Sequence, residues 1–75
     1  MSVKVYSTPS CPWCVKAKEF LTQKGIKFEN IDVSKDAKGR DEMIEKSGQM
    51  GVPVIEINDT VIVGFNIKAI EQALK

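Results

Sequence analysis

The sequence predicts an α/β domain whose elements run βαβαββα, and three observations carry that prediction. Short β-branched and aromatic runs alternate with longer stretches whose apolar residues recur at helical spacing. The first two strand-like runs flank one such stretch, and a right-handed crossover between parallel strands is the default for that order. The last two are separated only by Asn58-Asp59, a two-residue hairpin signal that makes them antiparallel. With 75 residues, 43% of them hydrophobic, residues 1–75 form one small domain with a modest core.

In chain order, Ser2 to Ser7 holds Val3, Val5 and Tyr6 around Lys4 and reads as a short, central strand. Thr8-Pro9-Ser10 ends it as a loop. From Pro12 to about Lys24, Trp13, Cys14, Ala17, Phe20 and Leu21 share one helical face, and Gly25 supplies the stop. Ile26 to Val33 is a second strand with imperfect alternation. Lys35 to Ser47 is a charged surface helix with a thin apolar stripe of Ala37, Met43 and Ile44; Gly39 weakens its interior and Gly48 ends it. After Gly51-Val52-Pro53 come the hairpin strands, Val54, Ile55 and Ile57, then Val61, Ile62 and Val63. Gly64 breaks the second of these, and Asn66 caps a final helix with Ile67, Ile70, Ala73 and Leu74 on its apolar face.

Charge narrows the function. Eleven basic and ten acidic residues are interspersed and leave +1, so neither a nucleic-acid stripe nor an acidic tail is present. No apolar run approaches the eighteen or so residues of a membrane helix, and no basic, apolar leader follows Met1, so the expected compartment is the cytosol.

Both cysteines fall in Cys11-Pro12-Trp13-Cys14. Thiols three positions apart lie within one helical turn, close enough to form or break a disulfide without large backbone movement. As a staple the pair would add little: the loop-entropy relation gives a four-residue ring roughly 1.9 kcal/mol, against about 3 for about fifteen residues. Structural zinc wants four ligands, and with no His and no second Cys pair a metal needs another chain or an external thiol. The residues leave three readings: a redox dithiol, a metal or iron–sulfur site shared between chains, and inert cysteines. In a reducing compartment, paired cysteines more often do catalysis or bind metal than brace a fold. Without His, a Cys-His hydrolase is excluded.

Placement gives the redox reading its roles. Proline suits the first helical position, which makes Cys11 the N-cap or its neighbour. Free N–H groups and the positive end of the helix dipole there favour a thiolate at Cys11. Cys14, one turn in and on the packed face, loses that benefit. Cys11 is then the nucleophile and Cys14 the thiol that resolves the mixed disulfide. Lys16 and Lys18 either add cationic help or are ordinary solvated residues.

With these residues in place the chain resembles the glutaredoxin branch of the thioredoxin-fold proteins. The resemblance rests on the strand leading to Cys11-Pro12-Trp13-Cys14, on Val52-Pro53 before a hairpin, and on Gly64-Phe65 before the last helix, and it covers the whole chain. It implies a thioredoxin-like fold: a four-stranded mixed sheet in the order 2-1-3-4, with helices on both faces. It also implies that Pro53 is cis, an isomer found in only about 5–6% of X-Pro bonds in folded proteins. Val52 would then offer its N–H and C=O to an extended substrate facing Cys11.

The implied activity is dithiol–disulfide oxidoreduction on protein disulfides or glutathione mixed disulfides. It would use no tightly bound cofactor, with glutathione as co-substrate and the protein a monomer. Pro12, Trp13, Val52, Pro53, Gly64, Phe65 and Asn66 would contact substrate, Trp13 being either an aromatic wall or plain core. The alternative is a dimer bridging an iron–sulfur cluster through Cys11 of each chain with glutathione. Pro12 and the resolving Cys14 lean against it.

Two departures from the family pattern bear on the electron source. No Lys or Arg stands among Ser7, Thr8, Pro9 and Ser10, and Val63-Gly64-Phe65-Asn66-Ile67 lacks the second glycine and the acid that hold glutathione. Two charge-assisted contacts, each about 1.5–3 kcal/mol, would be missing, lowering glutathione affinity by an order of magnitude or more. That ending is similar to redoxins reduced by a flavoprotein thioredoxin reductase.

Overall fold

A computed structural model describes residues 2–74. Strand β1 (Val3–Ser7) leads to α1 (Pro12–Gln23), β2 (Glu29–Asp32), α2 (Ala37–Ser47), β3 (Val54–Ile57), β4 (Thr60–Val63) and α3 (Ile67–Leu74). The sheet order is β2-β1-β3-β4. β1 runs parallel to β2, with Tyr6 opposite Ile31, and antiparallel to β3, with Val5 opposite Ile55. The β3–β4 hairpin is antiparallel, and Asn58 in its turn takes the left-handed φ of 53° that a tight hairpin demands.

Strand alternation sorts the apolar residues between two clusters. Val3, Val5, Ile55, Ile57 and Ile62 pack with Ala17 and Leu21 of α1 and Ile70 of α3. Tyr6 and Val54, pointing the other way, pack with Val33 and with Met43 of α2. Helices therefore cover both faces, α1 and α3 on one and α2 on the other. Val5 and Tyr6 are both fully buried, as a central strand requires.

The helix ends explain where the observed boundaries differ from the expected ones. Gly25, at φ 73°, donates its N–H to Thr22 C=O, and Ile26 donates to Leu21 C=O, each at 3.0 Å. This is a Schellman ending of α1, so Ile26 belongs to the turn and β2 starts at Glu29; it runs to Asp32, and the next residue, Val33, still donates its N–H to Ser7 C=O at 2.9 Å. Ile26 and Phe28 still pack on the first cluster, while Ile31 packs on the second; that change of side is the imperfect alternation. α2 starts at Ala37 and not Lys35, because Asp36 is its N-cap and accepts the Gly39 N–H at 2.9 Å.

Two expected apolar positions face solvent. Trp13 is 56% exposed and Ile67 is 44% exposed. At α3, Phe65 joins the first cluster in place of Ile67; it stands just before the cap Asn66 and five residues before the buried Ile70 of the same cluster, the N′ and N4 positions of a hydrophobic staple. Among the described residues no helix is long and apolar enough to cross a membrane.

Gly39 has a packing reason to sit inside α2. A Cβ there would stand 2.5 Å from the Ile31 Cγ2 methyl and 3.2 Å from the capping carboxyl of Asp36. Gly39→Ala gains about 1 kcal/mol of helix propensity but incurs the roughly 1–3 kcal/mol of overpacking. The expected outcome in urea denaturation is a lower midpoint for Gly39→Ala in the wild-type background and a higher or unchanged one in Ile31→Ala, which lacks the opposing methyl.

Candidate active site

The site begins where β1 ends. Thr8 C=O accepts the Cys11 N–H at 3.3 Å, closing the turn that brings the chain from strand to helix. Cys11 is the N-cap of α1, with extended backbone angles of φ −97° and ψ 108°, and Pro12 takes the first helical position. In place of a side-chain oxygen, the cap is a sulfur: Cys11 Sγ accepts the Cys14 N–H at 3.1 Å. One of the free donors of the first turn thus points at the sulfur, along with the positive end of the dipole.

The two thiols stand in different surroundings. Cys11 is partly exposed, whereas Cys14 is fully buried, and both are unbridged. Burial pushes the Cys14 thiol from the ordinary 9.0 up to about 11, and its hydrogen bond with the Cys11 side chain adds to the rise; the Thr8 main chain acts in the opposite direction.

Val52 and Pro53 approach from the sheet side. Their peptide bond is cis, and Val52 C=O lies 3.9 Å from Cys11 Sγ, within reach of a weak S–H···O contact. Pro53 C=O accepts the Gly64 N–H at 2.8 Å, which ties this loop to the end of β4. Gly64 turns at φ 84°, a conformation that glycine adopts without steric cost. Its turn places Phe65 beside the loop.

A groove of about 250 Å³ results, lined by Trp13, Val52, Pro53, Gly64 and Phe65. Trp13 forms its aromatic wall; its ring centroid lies 6.3 Å from that of Phe65, and Lys16 Nζ stands 4.7 Å above the indole. Phe20 supports Phe65 edge-on at 5.9 Å. Phe20 packs on the first core cluster, as its place on the apolar face of α1 predicts, and reaches the groove only through Phe65. Pro12 is exposed beside the sulfur. Asn66 does not line the groove: its Oδ1 accepts the Ala69 N–H at 3.2 Å as the cap of α3. Among the described residues, no group of three or more His, Cys, Asp or Glu side chains gathers as a metal site.

Sheet order and the strand-to-helix position of the dithiol define the class, a small dithiol protein of thioredoxin-like fold. Known proteins narrow it further. Residues 3–62 match the family model described as Glutaredoxin. The chain is 49% identical over 73 residues to an uncharacterized glutaredoxin-like 8.6 kDa protein in the rubredoxin operon of Clostridium pasteurianum, covering 97% of each chain. Its fold is similar to that of the Archaeoglobus fulgidus glutaredoxin, with TM-score 0.91 and 28% identity over 99% of this chain and 86% of the other. It is also similar to the NrdH-redoxin of Escherichia coli, a glutaredoxin-like protein described as having a thioredoxin-like activity profile, with TM-score 0.85 and 25% identity over 96% and 93%. The chain belongs to the glutaredoxin family, whose members are thiol–disulfide redox proteins.

The raised Cys14 pKa has a consequence for stability. Above the ordinary thiol value of 9.0 the unfolded chain releases this proton while the folded one retains it until about 11. The unfolded state then binds fewer protons, so stability falls as pH rises through that window and the contribution is complete below it. Comparing urea midpoints of the reduced wild type and Cys14→Ala from pH 8 to about pH 11 should give a difference that shrinks with rising pH; a constant difference would remove the assigned ionisation.

Proposed function

We propose that this chain is a dithiol–disulfide oxidoreductase that reduces protein disulfides, with Cys11 as nucleophile and Cys14 as resolving thiol. One observation carries the reading: the partly exposed Cys11 sulfur accepts a first-turn N–H at 3.1 Å, while its companion is wholly buried one turn away. That N–H and the positive end of the α1 dipole both face the sulfur that a substrate disulfide can reach.

The cycle balances with no tightly bound cofactor. Cys11 thiolate attacks one sulfur of a substrate disulfide; the S–S bond breaks, a Cys11–substrate disulfide forms, and the other substrate sulfur leaves as a thiolate that takes up a proton. Cys14 then loses its proton and attacks Cys11 Sγ, which releases the second substrate thiolate and leaves a Cys11–Cys14 disulfide. Engagement of Cys11 in the mixed disulfide withdraws one of the causes that hold the Cys14 proton. Two electrons have passed to the substrate, and an external reductant restores the dithiol. An extended substrate segment would lie along Val52, against Trp13 and Phe65, with its sulfur directed at Cys11.

For the electron source we favour a flavoprotein of the thioredoxin-reductase kind over glutathione. Apolar side chains dominate the groove, among the described residues the one cation beside it is Lys16, over the Trp13 indole, with no Lys or Arg in the lining itself, and Asn66 caps α3 where an acidic residue would hold an amino group. A protein surface suits such a groove better than a small, multiply charged peptide does.

Two measurements test the reading. Cys14→Ser should accumulate mixed disulfides with a substrate protein, visible as non-reducing gel adducts, and Cys11→Ser should form none; turnover by Cys11→Ser would reverse the assignment. In a coupled NADPH assay, thioredoxin reductase should support at least about tenfold faster disulfide reduction than glutathione with glutathione reductase, the factor expected from losing a charge-assisted contact. Equal or inverted rates would restore glutathione as the reductant.

A further inference from the structure

The position of Val52 depends on how its two neighbours are held. On the C-terminal side, Pro53 C=O is fixed by the Gly64 N–H at 2.8 Å. On the N-terminal side, the exposed Gly51 lies in no helix or strand, so its main chain gains nothing from regular pairing. Both of its polar groups are nonetheless occupied by a single side chain. Gln49 Oε1 accepts the Gly51 N–H, and Gln49 Nε2 donates to Gly51 C=O at 3.0 Å. The same amide nitrogen donates to Ser47 Oγ at 3.3 Å, and that hydroxyl lies 2.6 Å from Met43 C=O and 3.0 Å from Gln49 C=O. The clasp is therefore anchored in the last turn of α2.

We infer that Gln49 is a positioning residue for substrate: its amide imitates a neighbouring strand, fixes Gly51, and so holds the Val52 main chain in register with Cys11. This rests on the oxidoreductase reading above and names what prepares its docking strand. Glutamine suits the task because a primary amide carries an acceptor and a donor side by side, matching one residue's N–H and C=O. A charged or shorter side chain cannot supply both at this reach. Gly51 suits it too, because a Cβ there would stand 2.5 Å from Gln49 Oε1 and push the amide away. Ordering the loop before substrate arrives removes a cost that binding would otherwise bear, so the effect belongs in substrate affinity and not in the thiol chemistry.

The test compares a protein disulfide, insulin, with a small one, 2-hydroxyethyl disulfide, which is too short to pair with Val52. Both are reduced by the full chain with dithiothreitol as electron source. Gln49→Ala should raise KM for insulin about three- to tenfold with kcat little changed, and leave the small disulfide's rate unchanged. Gln49→Glu, which keeps the acceptor for Gly51 N–H and loses the donor, should fall between wild type and Gln49→Ala. Gly51→Ala should match Gln49→Ala. Amide exchange provides a readout independent of turnover: Gly51 should be protected in the wild type and lose that protection in Gln49→Ala.

The outcomes separate the two claims. Unprotected Gly51 in the wild type, an unchanged insulin KM in Gln49→Ala, or equal losses on both disulfides would overturn the positioning role while leaving the oxidoreductase reading standing. A wild type with a protected Gly51 that reduces neither disulfide would instead remove the oxidoreductase reading, and this inference with it.

Discussion

A single hydrogen bond, from the Cys14 N–H to the Cys11 sulfur, organises this molecule. An N-cap ordinarily satisfies a free first-turn donor with a side-chain oxygen, at a gain of about 1 kcal/mol. Here sulfur takes that place, so one side chain both caps α1 and holds a partly exposed thiol at the end of the sheet. The same three-residue spacing carries Cys14 into the core, where it is fully buried. Chemical difference between two identical residues thus follows from where a helix starts, with no His and no metal needed to create it.

The rest of the fold serves that start. β1, buried on both faces between β2 and β3, fixes the point from which the chain turns through Thr8-Pro9-Ser10 to Cys11. Because β3 lies beside β1, the segment entering β3 arrives at the same end of the sheet as the dithiol, and Val52 C=O comes within 3.9 Å of Cys11 Sγ. The end of β4 contributes Gly64 to hold Pro53 and Phe65 to complete the groove with Trp13. Three chain segments far apart in sequence meet because three adjacent strand ends do.

Element types, order, the hairpin at Asn58-Asp59 and the cap residues Cys11 and Asn66 were legible in the sequence because each depends on local chemistry: periodicity, turn residues, a proline at the first helical position. Val52, Pro53, Gly64 and Phe65 stood out only through the resemblance to a family, since nothing local says that three strand ends will meet beside Cys11. What escaped depends on packing between elements. Gly39 reads as a weak point of α2 until Ile31 is seen against it. The helical position of Trp13 fits either a core or a wall, and only the packing decides: the indole is exposed, beside Phe65 and under Lys16. Ile26 has a strand residue's character but serves the Schellman ending of α1. The bracing of Gly51 by Gln49 gave no sequence signal, since a glutamine between the helix-ending Gly48 and the loop Gly51 looks like ordinary loop polarity.

The unequal exposure of two reduced thiols is most directly measured by alkylating the native protein with iodoacetamide across a pH series and assigning the first modified residue by mass spectrometry. The account predicts that Cys11 takes the label throughout the neutral range, while Cys14 stays unmodified until pH approaches about 11 or the fold is lost. Labelling of both cysteines at similar rates near neutrality, or of Cys14 first, would contradict it.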